Sequence, residues 1–381
     1  MPATSKFLFP VGYFAFHKNQ LYNFQLNRWY SMGYVRFEDM VNAGRRIRSF
    51  ADWKKEMIGL ARVAEKEGRL MNAAFYYRAA EFYTLSGDPD KEELYVQFRH
   101  LFDITFQADP IERYKLPYKG KFLPAMKVSA KGNYKGTIVL HGGFDSFIEE
   151  FYSWMSFFSE SGYEVIGFEG PGQGAARRKY GLTLDYRWEK PARAIHDYFE
   201  LEDVTWIGIS MGGYFCFRAA AHEPRIKRVI ASSIAYDYTR FPNRFFQWLW
   251  FFFYRNYKGF TNRMSINKMK KGGHHAWMID QLMFMTGVRT PVEAMGVAME
   301  LNAENLHSEK VKQDVLILTG EEDHFIPYKM HNMQVNALTH ARSVTERVFT
   351  RKDQAHNHCQ IGNIGLALEF MLDWIRLKQT N

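Results

Sequence analysis

Residues 204–221 limit what this chain can fold into more than any other stretch. Val204-Thr205-Trp206-Ile207 reads as a buried strand and Tyr214-Phe215-Cys216-Phe217-Arg218-Ala219-Ala220-Ala221 as a helix, and between them stands Gly208-Ile209-Ser210-Met211-Gly212. A serine in so tight a strand-to-helix turn has a strained backbone, and glycines on both sides leave room for it. The turn presents the Ser210 hydroxyl above the carboxyl end of a sheet, at the positive end of a helix. Such a serine works only with a base beside it and with donors for the oxyanion its attack on a carbonyl creates.

From about residue 119 the sequence supplies that sheet, because short runs rich in Val and Ile alternate with amphipathic segments, the pattern of βαβ units. Candidate strands are 122–128, 137–141, 164–168, 205–209, 228–232, 315–319 and 344–349, and helices are expected near 146–161, 186–201, 211–222, 328–338 and 361–377. Most of the strands end in or run straight into Gly, Ser or His (Ser129, His141, Ser210, Ser232, Gly320), where an open α/β sheet gathers its functional groups. Residues 1–118 read as helical without clear strand alternation, with Met57, Leu60, Ala61, Ala64, Leu70, Ala73, Ala74 and Tyr77 near helical spacing. Between Ser233 and Val315 lie about eighty residues, far more than an ordinary connection, and an inserted helical cap over the carboxyl edge accounts for them. The expected organisation is a helical segment 1–118, a core in two parts, 119–237 and 309–381, and a cap at 238–308.

The other chemical groups follow in chain order. The strand 136–140 runs into His141-Gly142-Gly143-Phe144-Asp145, so the N–H of Met211 with that of Gly143 or Phe144 is expected to form the oxyanion hole. The strand from Asp314 ends at Gly320-Glu321-Glu322-Asp323, where three carboxylates compete. Asp323 is favoured by its place three residues after Gly320 and four before Pro327. Its task is to hold the base in one tautomer and stabilise the imidazolium. After the last strand stand His356 and His358; His358 directly precedes the final helix, with His356 as rival.

These motifs, with Phe168-Glu169-Gly170-Pro171-Gly172-Gln173-Gly174 and His358-Cys359-Gln360-x-Gly362, resemble the group of α/β-hydrolases that holds dihydroxypseudooxynicotine hydrolase, the fermentation-respiration switch protein and fungal hydrolases that shorten pigment polyketides. The likeness covers about 119–381. It implies an α/β-hydrolase fold, mostly parallel sheet with helices on both faces, plus a helical cap. It also implies a Ser-His-Asp hydrolase acting on an ester or on a carbon–carbon bond beside an aryl ketone. Carbon–carbon cleavage calls for an extra acid near the cap, and Asp237 is a candidate by position, against the plainer reading of an ordinary charge at a cap boundary.

Composition bears on substrate and partners. With 33 Phe, 22 Tyr and 9 Trp, the chain has rings to spare for lining a pocket, and cap residues such as Trp248 and Phe251 are expected to enclose an apolar, aromatic small molecule. No metal or organic cofactor is called for. The net charge of +9 comes from scattered Lys and Arg without a nucleic-acid motif, so no nucleic-acid partner is expected. The run 245–254 is too short to cross a bilayer, which takes about 20 apolar residues, and no membrane partner is expected. Two cysteines, Cys216 and Cys359, and an amino terminus without a secretory pattern point to the cytoplasm. A homodimer stays open. The rivals to a small-molecule hydrolase are an acylaminoacyl-type serine peptidase, a non-catalytic binding protein on the same fold, and a membrane-surface role for the aromatic run.

Overall fold

The computed structural model describes residues 6–241 and 244–380, without the side chains of Arg244, Phe246 and Trp250. Residues 1–5, the start of the amino terminus read as lacking a secretory pattern, and the Trp250 ring of the aromatic run lie outside the described residues.

Five helices come first: α1 (Gln20–Ser31), α2 (Phe37–Arg46), α3 (Phe50–Lys66), α4 (Leu70–Phe82) and α5 (Asp90–Thr105). One sheet follows, made of β1 (Ile111–Tyr118), β2 (Lys121–Val128), β3 (Thr137–His141), β4 (Glu164–Phe168), β5 (Val204–Ile209), β6 (Ile226–Ser232), β7 (Asp314–Gly320) and β8 (Ser343–Phe349). Between its strands lie α6 (Tyr152–Glu160), α7 (Gly174–Arg178), α8 (Glu189–Phe199) and α9 (Gly212–Ala220). The β6–β7 connection folds into α10 (Arg244–Asn256), α11 (Lys258–Lys270), α12 (His274–Thr286), α13 (Pro291–Met299) and α14 (Ala303–Leu306). The last two helices are α15 (Lys329–Ala337) and α16 (Ile364–Gln379).

The spatial order is β1-β2-β4-β3-β5-β6-β7-β8. The strands from β3 to β8 run parallel, while β2 pairs antiparallel with both β1 and β4. The connection from β3 leads to β4 on one side, and the next, from β4, crosses past β3 to β5 on the other, so the carboxyl ends of β3 and β5 flank the crevice where such sheets place their sites. Alternate residues feed two apolar layers: Ile138, Leu140, Leu316 and Leu318 enter the one shared with α1–α6 and α16, and Val139, Val315 and Ile317 the one shared with α8 and α9.

The strand β1 corrects the expectation that residues 1–118 are helical throughout. Of Ile111-Glu112-Arg113-Tyr114-Lys115-Leu116-Pro117-Tyr118 only Leu116 and Tyr118 are buried. An edge strand needs one apolar side and tolerates a proline, so its alternation is faint in the sequence.

Two further contacts position the site. Trp277 of α12 donates its indole N–H to Phe82 O of α4 at 2.6 Å, and Gln281 donates to Phe144 O at 2.9 Å, which fixes α12 between the amino-terminal helices and the loop after β3. Gly12 N–H donates to Gly362 O at 2.7 Å and Gly362 N–H to Ser31 Oγ at 3.0 Å, tying the segment around α1 to the loop just beyond His358.

Candidate active site

Strand β5 stops at Ile209 and α9 starts at Gly212; Ser210 between them has φ of 61°. That left-handed conformation is costly for a residue with a side chain, and the surroundings enforce it. Ser210 N–H donates to Ser232 O at 2.9 Å, and Gly213 N–H to Ser210 O at 2.8 Å. A Cβ on Gly208 would lie 2.0 Å from Gly212 O, so no side chain fits beneath the turn.

Ser210 Oγ lies 2.9 Å from His358 Nε2, and His358 Nδ1 lies 2.7 Å from Asp323 Oδ2. A carboxylate only accepts, so Nδ1 carries the proton and Nε2 is left to accept the hydroxyl proton of Ser210. Asp323 is held on all sides: Oδ1 accepts the N–H groups of Phe325 and Ile326 at 2.9 Å each, and Oδ2 also accepts Ser233 Oγ–H at 3.0 Å. The same Ser233 hydroxyl accepts Cys359 N–H at 3.1 Å, so one side chain braces both Asp323 and the residue after His358. Burial works to raise the Asp323 pKa, but the His358 charge and these hydrogen bonds hold it below the ordinary carboxylate range. For His358 burial works downward, yet the Asp323 charge outweighs it and raises the imidazole well above 6.5.

The competing candidates go elsewhere. Glu322 pairs with Arg351, and Glu321 accepts Arg351 N–H at 3.0 Å. His356 meets Asn357 Nδ2 at 3.1 Å and stands edge-on to Tyr13.

On the other side of Ser210, a Cβ on Gly143 would sit 2.7 Å from Met211 N, so the two backbones touch. Gln173, which pattern reading left without a role, donates Nε2 to Gly142 O at 2.7 Å and Gly143 O at 3.0 Å, while its Oε1 accepts Gly170 N–H at 2.9 Å. In a trans peptide the C=O and the following N–H point opposite ways. Gln173 therefore turns the N–H groups of Gly143 and Phe144 away from itself. Neither these two N–H groups nor that of Met211 has an acceptor among the described residues. Three unpaired donors around one serine are what an oxyanion needs.

The amino-terminal helices reach the same loop. Arg28 of α1 donates to Asp145 Oδ1 at 3.1 Å and Glu150 Oε2 at 2.6 Å, and Arg78 of α4 to Glu150 Oε1 at 2.7 Å and to Asp145 O. Burial works to lower the Arg28 pKa, but Glu150 and Asp145 reverse this, and it stays charged. Phe24 of α1 packs its ring 6.0 Å from that of His358 and 4.9 Å from that of His324. Neither ring nitrogen of His324 has a partner among the described residues. Burial, helped by the His358 charge, pushes its pKa down to about 4, so the ring is neutral. No local pattern marked Arg28, Arg78 or His324, and Gln173 stood out only as part of the glycine-rich run.

The remaining candidates lie apart from this line. Asp237 caps the turn Tyr238–Arg240, its Oδ1 accepting Thr239 N–H at 2.9 Å and its Oδ2 lying 3.2 Å from Arg240 Nε. Trp248 is 61% exposed and stacks on Phe252, and Phe251 is half-buried beneath the Arg255 guanidinium. Among the described residues no group of three His, Cys, Asp or Glu side chains could hold a metal ion.

Comparison with known proteins bears on the family and the fold. The chain is similar to the hydrolase acrC of Aspergillus aculeatus, 29% identical over 330 residues covering 75% of this chain and 74% of the relative. It is also similar to the 20-hydroxy-prefusarin hydrolase FUS2 of Gibberella moniliformis, 29% identical over 342 residues covering 80% and 79%. The crystal structure of 2,6-dihydroxy-pseudo-oxynicotine hydrolase superposes with a TM-score of 0.68 over 91% of this chain and 94% of that one, at 20% identity, a likeness of fold. The structure of AbyA5 gives 0.67 over 90% of each chain at 17% identity. The model of the alpha/beta hydrolase fold family matches residues 137–357, more than half the chain and the whole stretch from β3 to the loop before His358, and the protein is a hydrolase that belongs to that family.

Proposed function

We propose that this enzyme is a serine hydrolase that cleaves an ester, or a carbon–carbon bond beside a carbonyl, in an apolar, aromatic small molecule. The observation that carries the proposal is the unbroken line from Ser210 Oγ through His358 to Asp323, at 2.9 and 2.7 Å. His358 takes the Ser210 proton as the hydroxyl attacks the carbonyl carbon. The N–H groups of Met211 and of Gly143 or Phe144 receive the oxyanion, and His358 returns the proton to the leaving group. Water activated by the same imidazole then releases the acyl-enzyme.

Two features support an apolar, ring-bearing substrate. Phe24 and Phe325 pack their rings beside His358, and neutral His324 offers ring nitrogens for a hydroxyl or carbonyl of the substrate. The similarity to FUS2 and the fold shared with 2,6-dihydroxy-pseudo-oxynicotine hydrolase fit such a compound. Asp237 is less suited to be an additional acid, since both its oxygens are engaged by Thr239 and Arg240.

The test pairs an aryl ester with the carbon-linked aryl ketone bearing the same acyl group, in wild type and Ser210→Ala. Ketone cleavage lost in the variant makes the enzyme a carbon–carbon hydrolase, and ester cleavage alone makes it an esterase. If neither substrate turns over and a fluorophosphonate probe leaves Ser210 unlabelled, the proposal fails.

A further inference from the structure

The hairpin of α10 and α11 is largely exposed. No side chain of α11 is buried, and Trp248, Phe252, Tyr257, Phe260 and Met264 are each between 41% and 61% exposed. Exposed apolar groups clustered in this way mark an interaction site. Charge says what kind. From Tyr238 to Ile279 the sequence holds no Asp or Glu, while Arg255, Lys258, Arg263, Lys268, Lys270 and Lys271 are all exposed, and none of them is in an ion pair among the described residues.

We infer that this hairpin is a docking face for an anionic lipid bilayer surface. Rings of Trp, Tyr and Phe settle at the boundary between headgroups and acyl chains, and Lys and Arg reach past them to anionic headgroups. A second copy of the chain seated on the same face would set basic residues against basic residues with no acid to relieve them. The absence of any described helix long and apolar enough to cross a membrane is consistent with lying on the surface. The short length of the aromatic run, which excludes spanning, does not bear on this mode of contact.

The placement suits the chemistry. The chain enters α10 from the turn Tyr238–Arg240, just beyond the end of β6 where Ser233 bonds Asp323. An apolar substrate dissolved in the bilayer would thus meet the enzyme on the side where the catalytic loops open. This supply route rests on the proposed function; the docking itself does not.

The experiment is co-sedimentation with phosphatidylcholine vesicles, with and without about 30% phosphatidylserine. Wild type is expected to sediment with the anionic vesicles and to bind neutral ones at least about tenfold more weakly, with high salt reducing the anionic binding. The variants Phe260→Ser/Met264→Ser and Lys268→Glu/Lys270→Glu/Lys271→Glu should each lose about tenfold or more in vesicle binding while folding normally by circular dichroism. Their hydrolysis of a water-soluble aryl ester should be unchanged. Wild type left in the supernatant overturns the inference, as does binding that charge reversal does not weaken. A self-association in sedimentation velocity that Phe260→Ser/Met264→Ser abolishes, without vesicle binding, would assign the face to a second copy instead. Absence of ester hydrolysis in wild type would count against the proposed function and leave the docking result standing.

Discussion

In the proposed mechanism His358 serves as a base only while Nε2 is free of a proton, and the neighbouring Asp323 charge raises the pH at which that proton leaves. The pH profile of kcat/KM for an aryl ester is therefore expected to rise through a midpoint above 6.5. Asp323→Asn removes that charge, so the midpoint should move downward while the rate falls by about 10³–10⁴-fold, as when a triad acid loses control of the tautomer. The second residue to test is Gln173. Without its two donors the peptides of Gly143 and Phe144 are free to turn, and Gln173→Ala should lower kcat about tenfold or more with a smaller change in KM. Steady-state kinetics on one ester check this, and Gln173→Glu, which cannot donate to the carbonyls, should not rescue it. Ser210, Asp323 and His358 were legible because a short motif and the chain order name them. Gln173 and Ser233 were not, because each acts on a segment 30 or more positions away in the chain.

Strands read well where they are buried on both faces. Thr137–His141 and Glu164–Phe168 have the limits that their apolar runs indicate, whereas β1, solvated along most of its length, shows no such run. Helices are legible as helices, but periodicity does not say what covers them: the run in α10, expected to enclose substrate, carries some of the most exposed rings described. The seat of α1 was equally hidden, since it depends on ion pairs with a loop more than a hundred positions later. Arg28→Met leaves the fully buried Glu150 with one guanidinium instead of two and frees Asp145. Breaking a buried pair on one side costs about 3–5 kcal/mol, which urea denaturation should register, together with a fall in kcat as the loop after β3 loosens. Arg28→Lys should recover little, because one ammonium cannot hold two carboxylates in the geometry of a planar fork.

At the scale of the molecule, the long stretch between β6 and β7 could be read from the sequence as helical, but not that the amino-terminal helices are structural partners of the sheet. Trp29, Trp53, Phe75 and Phe98 from those helices are fully buried in the same apolar layer as α6 and α16. Each ring or aliphatic side chain left bare by their removal forfeits about 1.5–3 kcal/mol. A chain lacking residues 1–110 should accordingly be recovered in inclusion bodies and, if refolded, elute as aggregate on size exclusion. The contact of Gly12 and Ser31 with Gly362 bears on biosynthesis as well. Gly362 and Ser31 are 331 positions apart, so synthesis brings them together only after β1–β8 have all been made. A nascent polypeptide that already displays Ser210 lacks Asp323, His358 and the loop that α1 must meet. The arrangement around Ser210 is thereby incomplete until synthesis has passed Gly362.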